Sequence, residues 1–359
     1  MSRYLPIFIF LFFSPTFAAS PAKDAAIVQG VIISTHGGGQ DWGRDEMVPT
    51  LRDIKQLVAN WVVIHPYAGI SADGTVSRRR FNEEAAPAYW TRPIKEAHAQ
   101  GLNICITPHL AYWRSGFNWA GDIEFQNEED WARFWTTYRE WILTLAQACH
   151  EADAFVIGTE LDKTLRHEKE WRALISDLRK IFKGPITYGA NWTDYQRVPF
   201  WDVLDVIGIQ AYFPLSKKEN PTETDIRSGW QNILQELRTY SMAQNRKIVF
   251  TELGYNQSYI TAAEPWNYRV DDEGAKPLQE TCWRVAFSAI QSEPRIAGAF
   301  LWKWFPYPRP IGRDFQLATP NIMTIIANAW NGDVPKVEID YEAIQRWQEE
   351  RRQRRRSEQ

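Results

Sequence analysis

Glu160 and Glu252 each close a short apolar run, in AFVIGTEL and KIVFTELGY. In both, a few strand-like residues end in Thr-Glu-Leu, which delivers a carboxylate to the point where a buried strand meets open space. A charge at the end of an apolar run requires a partner or a task. Two such carboxylates on one scaffold are the minimum equipment for cleaving a glycosidic bond. A single strand-end glutamate is often only a structural hydrogen-bond acceptor, so the scaffold decides whether the two meet.

Short β-rich runs recur along the chain: AIVQGVIIST, WVVIHPY, NICITPHL, AFVIGTE, PITYGAN, DVIGIQAY, KIVFTELGY and AGAFLWKW. Amphipathic helical stretches such as EMVPTLRDIKQLVAN and EEDWARFWTTYREWILTLAQACHEA lie between them. Strands apolar on both faces that alternate with helices demand a parallel sheet. Eight units over residues 27–330 predict an α/β fold, a single-domain (β/α)8 TIM barrel. The Gly-rich HGGGQDWG lacks the spacing of a dinucleotide loop; its His36 and Trp42, with Tyr67 after the second strand, are expected to contact substrate instead.

Barrels place their chemistry at the C-terminal ends of strands. Those ends supply His36, His65, Tyr67, His109, Glu160, Asn191, Trp192, Gln210, Tyr212, Glu252, Trp302 and Trp304. The carboxylates fall on the fourth and seventh strands, which face each other across the mouth. The chain also holds 18 Trp, 18 Phe and 14 Tyr. Trp131, Trp135, Trp141 and Trp171 have the spacing of helix residues packed on the barrel exterior. Others are expected to face a ligand, and the apolar faces of sugar rings suit them.

Other chemistries lack their parts. His36, His65 and His109 could bind zinc, but the remaining strand ends offer too few ligands, so no metal and no cofactor is expected. The histidines fit sugar hydroxyls, a role in orienting a carboxylate or, for His65, plain core packing. Lys303 lies between two tryptophans; with both indoles inward it would point to helix or solvent. No G-x-S-x-G is present. Cys105, Cys149 and Cys282 sit in apolar segments and read as buried thiols. A net charge of −3 gives no electrostatic reason to expect nucleic acid.

The N-terminal MSRYLPIFIFLFFSPTFAAS has the pattern of a cleaved signal peptide over residues 1–20, too short for a membrane span. It predicts an exported protein, periplasmic or extracellular, acting as a monomer on an oligo- or polysaccharide. Residues 331–359 read as a polar, solvated tail ending in a basic run.

The segments VIGTELDKT, ITYGANW, DVIGIQAYFPLS, IVFTELGYNQS and FLWKW resemble glycoside hydrolase family 113, within the retaining (β/α)8 glycosidases. The resemblance implies endo-β-1,4-mannanase activity by double displacement. It makes Glu160 the general acid/base and Glu252 the nucleophile, with Tyr212 orienting Glu252. Trp302 would lie beneath the reacting sugar, and Asn191 or Trp192 would contact its neighbours. One residue departs from the wider pattern: Thr159 stands where Asn usually precedes the acid/base and binds the sugar 2-hydroxyl. An exo-acting β-glycosidase or β-glucanase, or a silent carbohydrate-binding barrel, are the alternatives. The stretches YWRSGFNWAGDIEFQN and NQSYITAAEPWNYRVDDEGAKP, with Trp113, Trp119 and Trp266, wall or open the cleft and so decide between endo and exo action.

Overall fold

In the computed structural model the strands, in chain order, are β1 Val28–Ile33, β2 Trp61–Ile64, β3 Tyr67–Ile70, β4 Val76–Ser77, β5 Asn103–Ile106, β6 His109–Ala111, β7 Ala154–Thr159, β8 Ile186–Asn191, β9 Ile207–Gln210, β10 Ile248–Leu253 and β11 Ile296–Trp304. Eight of them close a barrel in the order β1-β2-β5-β7-β8-β9-β10-β11, with β11 returning to β1. Every neighbouring pair is parallel. The structure describes residues 27–35, 37–77, 86–113, 115–271, 273–306 and 314–336, with 342, 345, 346, 349, 350 and 353 of the tail. Residues 1–20, read above as a signal peptide, and most of residues 331–359 lie outside these residues.

The helices are α1 Met47–Gln56, α2 Ala88–Ala99, α3 Glu128–Ala148, α4 Glu168–Ile181, α5 Glu223–Ala243, α6 Lys276–Ser292 and α7 Pro320–Trp330. Their starts follow local chemistry. Asn127 caps α3 by accepting from the Asp130 amide, and Thr222 with Asp225 forms a capping box on α5. No α-helix joins β8 to β9. Two 3-10 turns, Tyr195–Arg197 and Trp201–Val203, make that connection.

Alternation along the strands sorts side chains into two apolar layers. Ile32, Val63, Cys105, Val156, Val249 and Phe300 fill the barrel lumen. Ile33, Val62, Ile104, Phe155, Phe250 and Leu301 face the helices, where Trp131, Trp141 and Trp171 also pack. Gly30 makes room in the lumen: a Cβ there would sit 2.1 Å from the Phe300 ring. The three cysteines are buried and unpaired.

Two of the expected strands are broken. WVVIHPY and NICITPHL each stop before proline, Pro66 and Pro108, which cannot donate to the ladder. The chain resumes beyond each as β3 and β6, which pair in parallel and carry β4 antiparallel on the other edge. This small sheet sits above the mouth and sets Tyr67 beside His109 in register.

The end of β11 also differs from simple alternation. Val31 to Ile33 on β1 is matched by Leu301 to Trp304 on β11, so β11 carries an extra residue. Trp302 therefore stays in the lumen while Trp304 turns into the helix-facing layer. Lys303 is not turned to helix or solvent. It is buried, its Nζ 3.0 Å from Asp314 Oδ2 and within 5.0 Å of the Trp302 ring centre.

Candidate active site

Glu160 follows the last residue of β7, and its amide still donates to Gly189 O at 2.8 Å. Its φ of 50° lies in the left-handed region, unusual for a residue with a side chain and typical of positions that aim one at a site. Both carboxylate oxygens are engaged. Oε1 accepts from Asn191 Nδ2 at 2.8 Å, and Oε2 from Trp119 Nε1 at 3.2 Å.

Glu252 stands within β10 in register with Gln210 of β9. Tyr212, just beyond β9, donates its hydroxyl to Glu252 Oε2 at 2.7 Å. His109 Nε2 lies 3.7 Å from Glu252 Oε1. Both carboxyls line one cavity of about 470 Å³, with Trp302, Thr159 and Tyr67 among its walls. The Trp302 ring stacks on His109 at 6.2 Å and 15°.

Burial pushes the Glu160 carboxyl upward against its two hydrogen bonds. Burial, and then the charge of Glu160, push Glu252 up to about 8. Because the charge of Glu160 is one cause of the Glu252 shift, the two carboxyls titrate as a pair. Burial drops His109 to about 4, so it is neutral and its contact with Glu252 is not an ion pair. His65 is held low by burial and then by His109, and is also neutral. Beside the two carboxyls, His109 lines the cavity as a neutral imidazole and His65 lies buried beneath it.

The sequence model of Glycoside Hydrolase Family 113 matches residues 34–309, most of the chain. The chain belongs to Glycoside Hydrolase Family 113. It is thus a glycosidase built on a single (β/α)8 barrel. Its solved neighbours include a family 113 β-mannanase from Alicyclobacillus acidocaldarius, in complex with ManMIm. That chain is 23% identical with a TM-score of 0.74, over 86% of this chain and 98% of that one. A second, a family 113 β-1,4-mannanase in a complex structure, is 19% identical with a TM-score of 0.74, over 86% of this chain and 100% of that one. A β-glucuronidase from Ruminococcus gnavus is more distant, 12% identical with a TM-score of 0.57, over 85% of this chain and 50% of its own. At these identities the likeness is one of fold. No curated protein gives a significant sequence match.

In this family 113 glycosidase the strand ends bring Glu160, Glu252, Tyr212, Trp302, Asn191, Trp192, His109 and Tyr67 to one cavity. His36 lies outside the described residues. Trp42 does not reach the site and is a correction to its expected role. It is fully buried in the outer layer, donates Nε1–H to Ile33 O at 2.9 Å, and packs edge-on against His65 at 5.3 Å. The turn after β1 folds the indole under the strand instead of over the mouth. His65 is likewise buried beneath the lining, ringed by Trp42, Tyr67, His109 and Trp302.

Trp119 serves as a donor to Glu160 rather than only a sugar platform. Trp113 and Trp266 line the cavity and stay 67% and 42% exposed, available to a ligand face. Tyr112, Tyr268 and Phe315 line it too. They sit on irregular loops beyond the strand ends, where no periodicity marks them. Their only sequence signal is aromatic density.

The raised carboxyls have a consequence for stability. A carboxyl whose folded pKa exceeds its unfolded value gives its full stability below the unfolded value and loses it as pH rises through the folded one. Glu252 therefore costs stability between about pH 4.5 and 8. Glu252→Gln should raise unfolding free energy at pH 7 by about 2–3 kcal/mol, a gain that closes as pH falls towards 4. Urea unfolding across that range checks it; a gain independent of pH would contradict it.

Proposed function

We propose that this enzyme hydrolyses a β-1,4-linked mannan-type polysaccharide within the chain, with retention of configuration. The observation that carries the mechanism is the pair of carboxyls at the ends of β7 and β10, Glu160 half-buried and Glu252 buried, walled by Trp302 and each held by hydrogen bonds. Tyr212 fixes the Glu252 oxygen, and Glu252 attacks the anomeric carbon. The bond to the glycosidic oxygen breaks as Glu160 gives that oxygen its proton. Glu252 is then esterified to the sugar. Water attacks the same carbon, Glu160 takes the water proton, and the ester bond breaks to free the Glu252 carboxylate.

The aromatic groups support action along a chain. Trp192 follows Asn191, whose amide holds the acid, so it lies on the leaving-group side. It stacks on Trp266 at 5.6 Å and 19°, and Trp266 offers its outer face. Trp113 stands against Tyr67 at 5.6 Å on the β2 and β5 side of the cleft. Platforms on both sides of the carboxyls suit endo action. The mannan assignment draws on the family's β-mannanase neighbours. The N-terminal apolar leader fits export to meet a polymer.

A panel of mannan, glucomannan, cellulose, mixed-linkage glucan and β-1,3-glucan with product sizing tests this. Mannan or glucomannan should be cut first, to a spread of oligosaccharides. Exclusive cleavage of a glucan would overturn the substrate, and monosaccharide alone from the earliest times would overturn endo action.

A further inference from the structure

The acid of the proposed mechanism stands where the chain leaves β7, and its backbone there is left-handed, with φ at 50°. A residue with a side chain keeps that conformation only where its surroundings fix it. Two peptide planes flank the Glu160 Cα, and each is anchored to β8. The Glu160 amide donates to Gly189 O at 2.8 Å. The Leu161 amide, on the other side of the Cα, donates to the hydroxyl oxygen of Tyr188 at 2.7 Å. Each donor is a backbone N–H, so the direction of both bonds is fixed.

Tyr188 belongs to the outer layer of the barrel and not to the cleft. Its ring is fully buried, set against Trp171 at 5.4 Å, Phe200 at 5.8 Å and Trp201 at 6.4 Å, so the hydroxyl has little freedom to move. The turn beyond is held as firmly. The Leu161 carbonyl accepts from the Thr164 amide at 3.0 Å and from Thr164 Oγ1 at 2.6 Å. Asn191, further along the strand that bears Tyr188, meets the Glu160 carboxyl with its amide at 2.8 Å. We propose that Tyr188 is a positioning residue: its hydroxyl fixes the peptide plane after Glu160, and so aims the Glu160 carboxyl at the oxygen it protonates.

Without that hydroxyl the Leu161 amide would be buried with no acceptor, and the plane would turn to find one. Proton transfer is sensitive to such a shift, because the acid must lie within hydrogen-bond reach of the departing oxygen. Glu252 would keep its bond to Tyr212, and Trp302 its stack on His109. The loss should therefore depend on how much the leaving group needs a proton. The inference rests on Glu160 as the acid/base, and Glu160→Ala measured alongside separates failure of that reading from failure of this one.

The readout is kcat/KM, which reports the first step, on polysaccharide and on a 2,4-dinitrophenyl glycoside of the same sugar, whose leaving group departs without a proton. Tyr188→Phe should lose about tenfold on polysaccharide and less than about twofold on the activated glycoside. Tyr138→Phe is the matched control. It also removes a buried hydroxyl, one that donates to Ile157 O at 2.7 Å within β7, but it leaves both planes at Glu160 anchored. It should affect the two substrates alike. Should Tyr188→Phe not fold, 4-aminophenylalanine at position 188 keeps the volume and a polar group but accepts poorly, and the same split between substrates is expected. Equal losses on both substrates, no loss on polysaccharide, or the same split in Tyr138→Phe would overturn the inference. A Glu160→Ala enzyme with no leaving-group dependence would instead overturn the role of Glu160, and this inference with it.

Discussion

Glu252→Ala should leave no measurable turnover, a loss on the order of 10⁴-fold or more, while oligosaccharide still binds. In the proposed double displacement a Glu252 oxygen forms the bond that the first step makes, and no other carboxylate among the described cavity residues except Glu160 could replace it. Tyr212, which donates to Glu252, would be left aimed at empty space. The aromatic walls do not depend on Glu252, since Trp302 stacks on His109 and Trp192 on Trp266. Reducing-end release measures the first half of this result, and quenching of tryptophan fluorescence by oligosaccharide the second. Retention of more than about a tenth of wild-type turnover would place the nucleophile elsewhere.

Glu160→Ala should behave differently, because its task depends on the leaving group. On polysaccharide, whose leaving group is a sugar hydroxyl, loss of the acid should cost about 10²–10⁴-fold. On a 2,4-dinitrophenyl glycoside the first step should proceed, and the glycosyl-enzyme should then accumulate without a base to activate water. Azide needs no base and fits the space vacated beside Asn191 and Trp119. It should restore turnover and yield a glycosyl azide of retained configuration. An azide product of inverted configuration would mean that the anion attacks directly, and that the pair works by inversion.

The eight barrel strands were legible because each is apolar on both faces, as in NICI or IVF, and nothing but a covered parallel sheet buries such runs. The carboxylate positions followed from the barrel alone. What alternation could not convey was where it breaks. Pro66 and Pro108 cut two strands and build the small sheet that holds Tyr67 and His109. An extra residue in β11 separates Trp302 from Trp304, which were expected on one face, and leaves Lys303 buried against Asp314. Bulges of this kind depend on the neighbouring strand's register, which a single segment does not encode.

The loops were less legible for a related reason. Trp42 follows three glycines after a strand end, where a sugar platform would also stand, and only the path of the turn sends it inward. Trp119 is read easily as an exposed aromatic, yet its indole N–H is committed to Glu160. Sequence spacing locates the residues that strands carry; contacts between successive loops appear only with the fold.

The double displacement at Glu252 is tested most directly by trapping its intermediate. An activated 2-deoxy-2-fluoro β-glycoside of the sugar selected by the polysaccharide panel should inactivate the wild type as the ester accumulates. Mass spectrometry of the digested protein should find one fluorosugar on the peptide containing Glu252, and none after Glu252→Ala. A label on the Glu160 peptide, or steady hydrolysis to a product of inverted configuration with no adduct, would contradict the account.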